Sequence, residues 1–165
     1  MPRTLNPTTD KLGRMRVRRY EETDRQALLA LAPRLTEGVA PWRPVDTVLS
    51  AVTGWVVEAL DRSTEPGRLV LVADLDGAVA GFASGEERTH WSGGSELYVG
   101  ELVVAKSFEG QGVGRALIDA LTDHAKQRDL TTITLDTGAA NTNARAFYNR
   151  LGFAEEDVKV TKTLT

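Results

Sequence analysis

The amino-acid sequence predicts an α/β fold, a mixed, mostly antiparallel central sheet flanked by helices in the order β-α-α-β-β-β-α-β-α-β. Three observations carry this reading. Short β-branched runs alternate with segments of helical period, as in Arg68–Ala73 against Val113–Ala125. Asp76-Gly77 stands between two such runs as a two-residue hairpin turn, which makes the middle of the sheet antiparallel. A long strand, Glu96–Val104, feeds a glycine-rich loop and then a helix.

Each element follows from its local pattern. Met15 and Val17 alternate with Arg16 and Arg18, which predicts a strand over Met15–Tyr20. Thr23 or Asp24 then caps a helix running to about Leu35. Gly38–Pro44 carries two prolines around Trp42 and is a loop. Val45–Asp61 is a second helix, with Val48, Leu49, Val52, Trp55, Val56 and Leu60 on one side to cover the sheet. Arg68–Ala73 and Ala78–Gly85 form the hairpin, and Glu96–Val104 the next strand. Val113, Ala116, Leu117, Ala120, Leu121 and Ala125 recur at three-and-four spacing, a helix packed on a sheet. Thr131–Asp136 is a strand, Asn141–Leu151 a helix that Gly152 can end, and Val158–Leu164 a closing strand. Residues 1–14 mix Pro, Thr, Asn and Gly without periodicity and read as a loose arm ahead of a single domain over 15–165.

Composition narrows the function. The chain has 165 residues, 41% hydrophobic and 26% charged, which suits one domain with a core. A formal net charge of -3 gives no general attraction to nucleic acid or an anionic membrane. The absence of cysteine excludes disulfides, thiolate metal ligands and a cysteine nucleophile. His90 and His124 have no metal-ligand companions at helical or loop spacing, so no metal is expected. No run approaches the ~18 apolar residues of a membrane helix, and a cytoplasmic location is expected.

The segment Tyr98–Leu117 carries the chemistry. Glycines at 110, 112 and 114 follow a strand and open a helix, an arrangement whose successive backbone N–H groups and helix dipole suit a pyrophosphate. Arg115 adds a cationic contact. No Lys-Ser or Lys-Thr follows as in a P-loop, and Arg115 and Leu117 occupy the third-glycine positions of a dinucleotide fingerprint. Both of those nucleotide sites are disfavoured.

The stretch LVVAKSFEGQGVGRAL resembles the coenzyme A-binding segment of the GNAT superfamily of N-acetyltransferases, Q/R-x-x-G-x-G/A after a strand. Gly112 and Gly114 match it, whereas Glu109 stands where that family usually has Gln or Arg. Downstream, NTNARAFYNRLGF is similar to the family's N-x-x-A-x-x-x-Y-x-x-x-G-F helix and strand start, through Asn141, Ala144, Tyr148, Gly152 and Phe153. The resemblance implies a GNAT-like sheet that binds acetyl-coenzyme A and transfers acetyl to a primary amine by direct attack in a ternary complex. The acceptor is a small molecule or a protein amine. The alternative is a coenzyme A-binding sensor without catalysis. Exposed β edges in this architecture leave a homodimer open.

The resemblance also assigns roles. The backbone of Leu102, Val103 and Val104 pairs with the pantetheine arm, and the Leu102 N–H polarises the thioester carbonyl. Glu109, Gly110, Gln111, Gly112, Val113, Gly114 and Arg115 surround the phosphates, while Asn141 and Ala144 lie beside the pantetheine. Tyr148 faces the sulfur and protonates the departing thiolate, a role suited to a phenol of pKa about 10. Glu101 is the first candidate for the base that takes the proton from the amine, because a carboxylate in an apolar strand is costly unless paired or used. Asp136 and His90 rank behind it. Trp42 and Arg43 are candidates for the wall of the acceptor pocket.

Overall fold

The computed structural model describes residues 15–164; the arm expected over 1–14 lies outside them. Five strands stand in spatial order β1-β2-β3-β4-β5. They are β1 (Met15–Arg19), β2 (Arg68–Leu75), β3 (Ala78–Thr89), β4 (Ser95–Val104) and β5 (Thr132–Leu135). The helices are α1 (Arg25–Leu31), α2 (Val45–Asp61), α3 (Val113–Gln127) and α4 (Thr142–Arg150). β1 through β4 pair antiparallel in sequence order, and β5 returns by way of α3 to pair parallel with β4. The element order is the expected one as far as α4.

The hairpin turns at Asp76 and Gly77, both with positive φ (53° and 86°), as a two-residue turn between right-twisted strands requires. Every residue of Leu69–Ala73 is buried, which explains the unbroken apolar run: Leu69, Leu71 and Ala73 face a core shared with Leu117 and Leu121 of α3. Val70 and Val72 face Leu28 of α1 and Val56 of α2 on the other side. Both faces of the strand are covered, so alternation is lost.

The first helix departs from expectation. Its helical residues give way to a tighter turn over Ala32–Thr36, where Pro33 has no N–H to continue the ladder. The Asp24 side chain makes no capping bond to α1 and turns back toward β1 instead. Its carboxylate takes two bonds from the Arg18 guanidinium, at 2.7 and 2.8 Å, and one from the Glu21 N–H at 3.0 Å, which fixes β1 to the start of α1.

The closing strand is not formed. Residues 153–164 carry no regular structure, and Val158, Val160 and Leu164 are 80%, 88% and 86% exposed. Alternation alone does not make a strand; pairing does, and β5, only four residues long, is not extended by this segment.

Candidate functional site

The defining feature is a parting in the sheet. β4 pairs with β5 only over Glu96–Val99, and beyond Val99 it runs on to Val104 without that neighbour. On its other edge β4 remains bonded to β3, and the Ala105 N–H donates to the Ala80 carbonyl at 2.8 Å. Antiparallel alternation from that bond turns the N–H and C=O groups of Leu102 and Val104 away from β3 and into the parting.

A β-bulge lies where the strands part. Ser84 of β3 stands opposite both Gly100 and Glu101. A side chain at Gly100 would come within 2.9 Å of the Ser84 hydroxyl, so glycine is what admits it. That hydroxyl accepts the Glu101 N–H at 3.0 Å and donates to the Glu101 carboxylate. The bulge therefore restores the face alternation of Leu102–Val104 and fixes a carboxylate beside it.

Around the parting is a cleft of about 1060 Å³. One end is the start of α3, where Gly112 caps the helix in the left-handed region (φ 80°) with open space where a side chain would project. Gly110 and Arg115 line the same end. Gly114 acts differently, since a Cβ there would meet the Phe147 ring at 3.0 Å, and its bareness lets α3 approach α4.

The turn after α1 forms a roof. Gly38 lies so close to Asn141 that a Cβ would overlap it at 2.2 Å, and a Cβ on Gly138 would meet the Gly38 carbonyl at 2.3 Å. Asn141 joins the two sides. Its Oδ1 accepts the Ala144 N–H at 3.2 Å, capping α4, and its Nδ2 donates to the Glu37 carbonyl at 3.3 Å. At the phosphate-suited end, Arg34 forms an ion pair with Glu109 and a second with Glu37 at 3.1 Å. The Arg34 guanidinium beside it holds the Glu109 carboxyl below its ordinary range.

Burial is the leading cause of the raised pKa of three side chains in the cleft, Glu101, Tyr98 and Tyr148. Glu101 is 7% exposed, and desolvation pushes its pKa up; Ser84 opposes the shift, nearby Glu58 adds to it and Arg68 opposes it. Burial alone pushes the Tyr148 phenol up to about 12. Its ring sits edge-on between Phe147 and Phe153, with centroids 5.3 and 5.6 Å away. Beside Glu101 the cleft is lined by Trp55, Glu58, Arg68, Ser84 and Tyr98. The Tyr98 hydroxyl donates to Asp136 at 2.9 Å, and the Arg88 guanidinium lies 3.7 Å over its ring.

The structure thus brings together Glu101, Leu102, Val103, Val104, Glu109, Gly110, Gly112, Val113, Gly114, Arg115, Asn141, Ala144 and Tyr148 in one cleft. Gln111 is not among its lining residues and instead donates to the Ser107 carbonyl at 3.2 Å. Trp42 and Arg43 are exposed and also lie outside the lining. His90 bonds to Ser92 at a turn, away from the cleft. Sequence reasoning missed Arg34, Ser84 and Tyr98, and it placed Trp55 against the core. Trp55 is 53% exposed and walls the cleft. Its position at the margin of the α2 stripe is the one signal that could have found it.

Among the described residues no cluster of three or more His, Asp or Glu side chains could hold a metal ion, and no helix is long and apolar enough to cross a membrane. An extended amide-bearing arm fits the parting, and a pyrophosphate fits the α3 end, where one buried nitrogen of Arg34, Nη1, has no partner.

Comparison with known proteins agrees with this geometry. The chain is 32% identical over 108 residues to an uncharacterised N-acetyltransferase of Methanocaldococcus jannaschii, a match covering 63% of this chain and 46% of that protein. It is 34% identical over 104 residues to mycothiol acetyltransferase of Pseudarthrobacter chlorophenolicus, covering 58% of this chain and 30% of that one. The chain thus spans less than half the length of these curated relatives. In fold it is similar to an aminoglycoside N-acetyltransferase solved in complex with CoA, with a TM-score of 0.66 at 21% identity over 91% of this chain and 94% of the other. The profile of the Acetyltransferase (GNAT) family matches residues 37–153, which takes in Gly38, the parted strands and the α3 and α4 ends of the cleft, and the chain belongs to that family.

Proposed function

We propose that this protein binds acetyl-coenzyme A in the cleft between β4 and β5 and transfers its acetyl group directly to an amine. The observation that carries the reading is the parting beyond Val99, which leaves the backbone groups of Leu102 and Val104 turned toward a cleft that ends at the left-handed cap of α3. An amide-bearing arm takes up such groups as a neighbouring strand would, and the helix start attracts the phosphates. Family membership and the likeness to a CoA complex support the donor.

In this reading the donor supplies an activated acyl group and the chain's residues do the rest. The Leu102 N–H donates to the thioester carbonyl oxygen as negative charge gathers on it. The Glu101 carboxylate takes a proton from the incoming ammonium, and burial raises its basicity for that purpose. Tyr148 keeps its proton at neutral pH and delivers it to the departing sulfur. Asn141 holds the roof to α4 and so keeps water from the arm. Glu58, Glu101 and Asp136 on the acceptor side favour a cationic amine, with Trp55 and Tyr98 as its aromatic walls. Trp42 and Arg43, on the loop leading to α2, are proposed to meet only the outer part of an acceptor too large for the cleft.

Calorimetric titration with acetyl-coenzyme A, with coenzyme A and ATP as controls, tests the donor. Micromolar binding of both coenzyme A species and none of ATP is expected, followed by amine-dependent thiol release in an acceptor screen. Failure to bind acetyl-coenzyme A would remove the proposal.

A further inference from the structure

Glu109 presents a puzzle at the α3 end. It is half-exposed and precedes the glycines that the pyrophosphate would approach, so its charge has the wrong sign for that ligand. Arg34 reaches it from a different element, the turn over Ala32–Thr36, and both side chains line the cleft. The use of the guanidinium is lopsided. Nη2 serves both Glu37 and Glu109, whereas Nη1 is buried and has no acceptor. Burying a charged donor without a partner costs free energy, and Arg34 is drawn into the cleft by two carboxylates that occupy only one of its terminal nitrogens.

Resting on the donor reading above, we propose that Arg34 is a pyrophosphate ligand. Through Nη2 it holds the Glu109 carboxylate aside, and through Nη1 it donates to a phosphate oxygen of the donor. The guanidinium fork suits this double role, since its two terminal nitrogens face different ways in one plane. The cation that the glycine loop lacks at position 109 is thus supplied from the roof, and donor affinity depends on the roof being in place. Arg115 lines the same end but makes no ion pair among the described residues, so it does not restrain Glu109.

The test measures binding of coenzyme A, dephospho-coenzyme A and pantetheine to wild type, Arg34→Ala, Arg34→Lys, Glu109→Ala and the Arg34→Ala/Glu109→Ala double variant. Arg34→Ala is expected to weaken coenzyme A and dephospho-coenzyme A alike by roughly 10-fold or more, the scale of a lost charge-assisted bond, with pantetheine unchanged. Arg34→Lys keeps one charge but not the fork and is expected to lose affinity in the same pattern, which serves if the alanine variant does not fold. The double variant decides between ligand and mask. If Arg34 binds phosphate, removing Glu109 as well leaves affinity below wild type; full recovery in the double variant would show that Arg34 only neutralises Glu109 and would overturn the proposal. A loss confined to coenzyme A would place the contact at the 3′-phosphate and overturn the pyrophosphate assignment. An equal loss for pantetheine would show a structural role instead. Absence of coenzyme A binding by wild type would strike the donor reading itself, a separate outcome.

Discussion

Glu101→Gln separates the chemistry of the cleft from its architecture. Glutamine keeps the size of the side chain and can still accept from the Ser84 hydroxyl, so the bulge should survive. What is lost is the capacity to take a proton. A positioned general base is worth roughly 10²–10⁴ in rate, and the neighbouring carboxylates are poorly placed to replace it: Asp136 holds the Tyr98 hydroxyl and Glu58 pairs with Arg62 at 2.9 Å. The expected fall in kcat/KM is therefore at least ~10²-fold. The wild-type pH profile should show an acid limb above 4.5, the ordinary glutamate value, because burial raises this carboxyl. That limb should vanish in the variant. Stability should move the other way. With its pKa raised in the folded state, Glu101 binds its proton more tightly when folded. Between 4.5 and the raised value the wild type loses stability as pH rises, and the penalty is complete above it. Each unit of upward shift is worth about 1.4 kcal/mol, or about 3–5 °C in Tm for a domain of this size. Glu101→Gln should thus melt above wild type at pH 8 and close to it at pH 4. The decisive result is the steady-state profile with a saturating amine: activity within about 3-fold of wild type, with the acid limb intact, would refute Glu101 as the base.

Four further outcomes are expected. Tyr148→Phe should lower kcat by about 10²-fold while leaving coenzyme A affinity unchanged by calorimetry, since only the proton to the sulfur is removed. Gly112→Val forces a β-branched residue into the left-handed cap of α3 and should cost about 1–2 kcal/mol by urea denaturation and abolish detectable donor binding. Gly54→Ala, in the exposed middle of α2 where an added methyl meets nothing, should stabilise by about 0.5–1 kcal/mol and raise Tm by a few degrees in calorimetry. Asp24→Asn breaks the pairing with Arg18 and should cost about 3 kcal/mol at neutral pH. The Arg18 hydrogen bond holds the Asp24 carboxyl below its ordinary range, so the wild-type advantage exists above that range and should disappear as pH falls through the lowered value.

The parts of this site that could be read from sequence are those whose signal is local. The Asp76-Gly77 turn, the glycines that open α3 and the Asn141–Phe153 segment each depend on residues within one or two turns of chain. Ser84 and Arg34 gave no such signal, because their importance comes from partners 17 and 75 residues away. The parting of β4 from β5 is likewise a matter of where pairing stops, which hydrophobic pattern does not record. Val158–Leu164 shows the converse. Its alternation resembles that of a strand, but a strand is a relation between two segments, and among the described residues no second segment pairs with it. Trp55 falls between the cases. The stripe on α2 is real, yet its margin faces the cleft and not the core.

The free inner edge of β4 has a further consequence. Sheet edges at a protein's periphery invite other strands to add to them and carry a risk of aggregation. Here the bonding edge over Leu102–Val104 lies indoors, with α4 along one side and the turn after α1 overhead, where Gly38 meets Gly138 almost backbone to backbone. A polypeptide strand added there would have to fit side chains on both faces. An extended arm that carries amides can meet the same backbone groups as a neighbouring strand would. The fold thus keeps a strand edge available for recognition inside a cleft and not at its periphery.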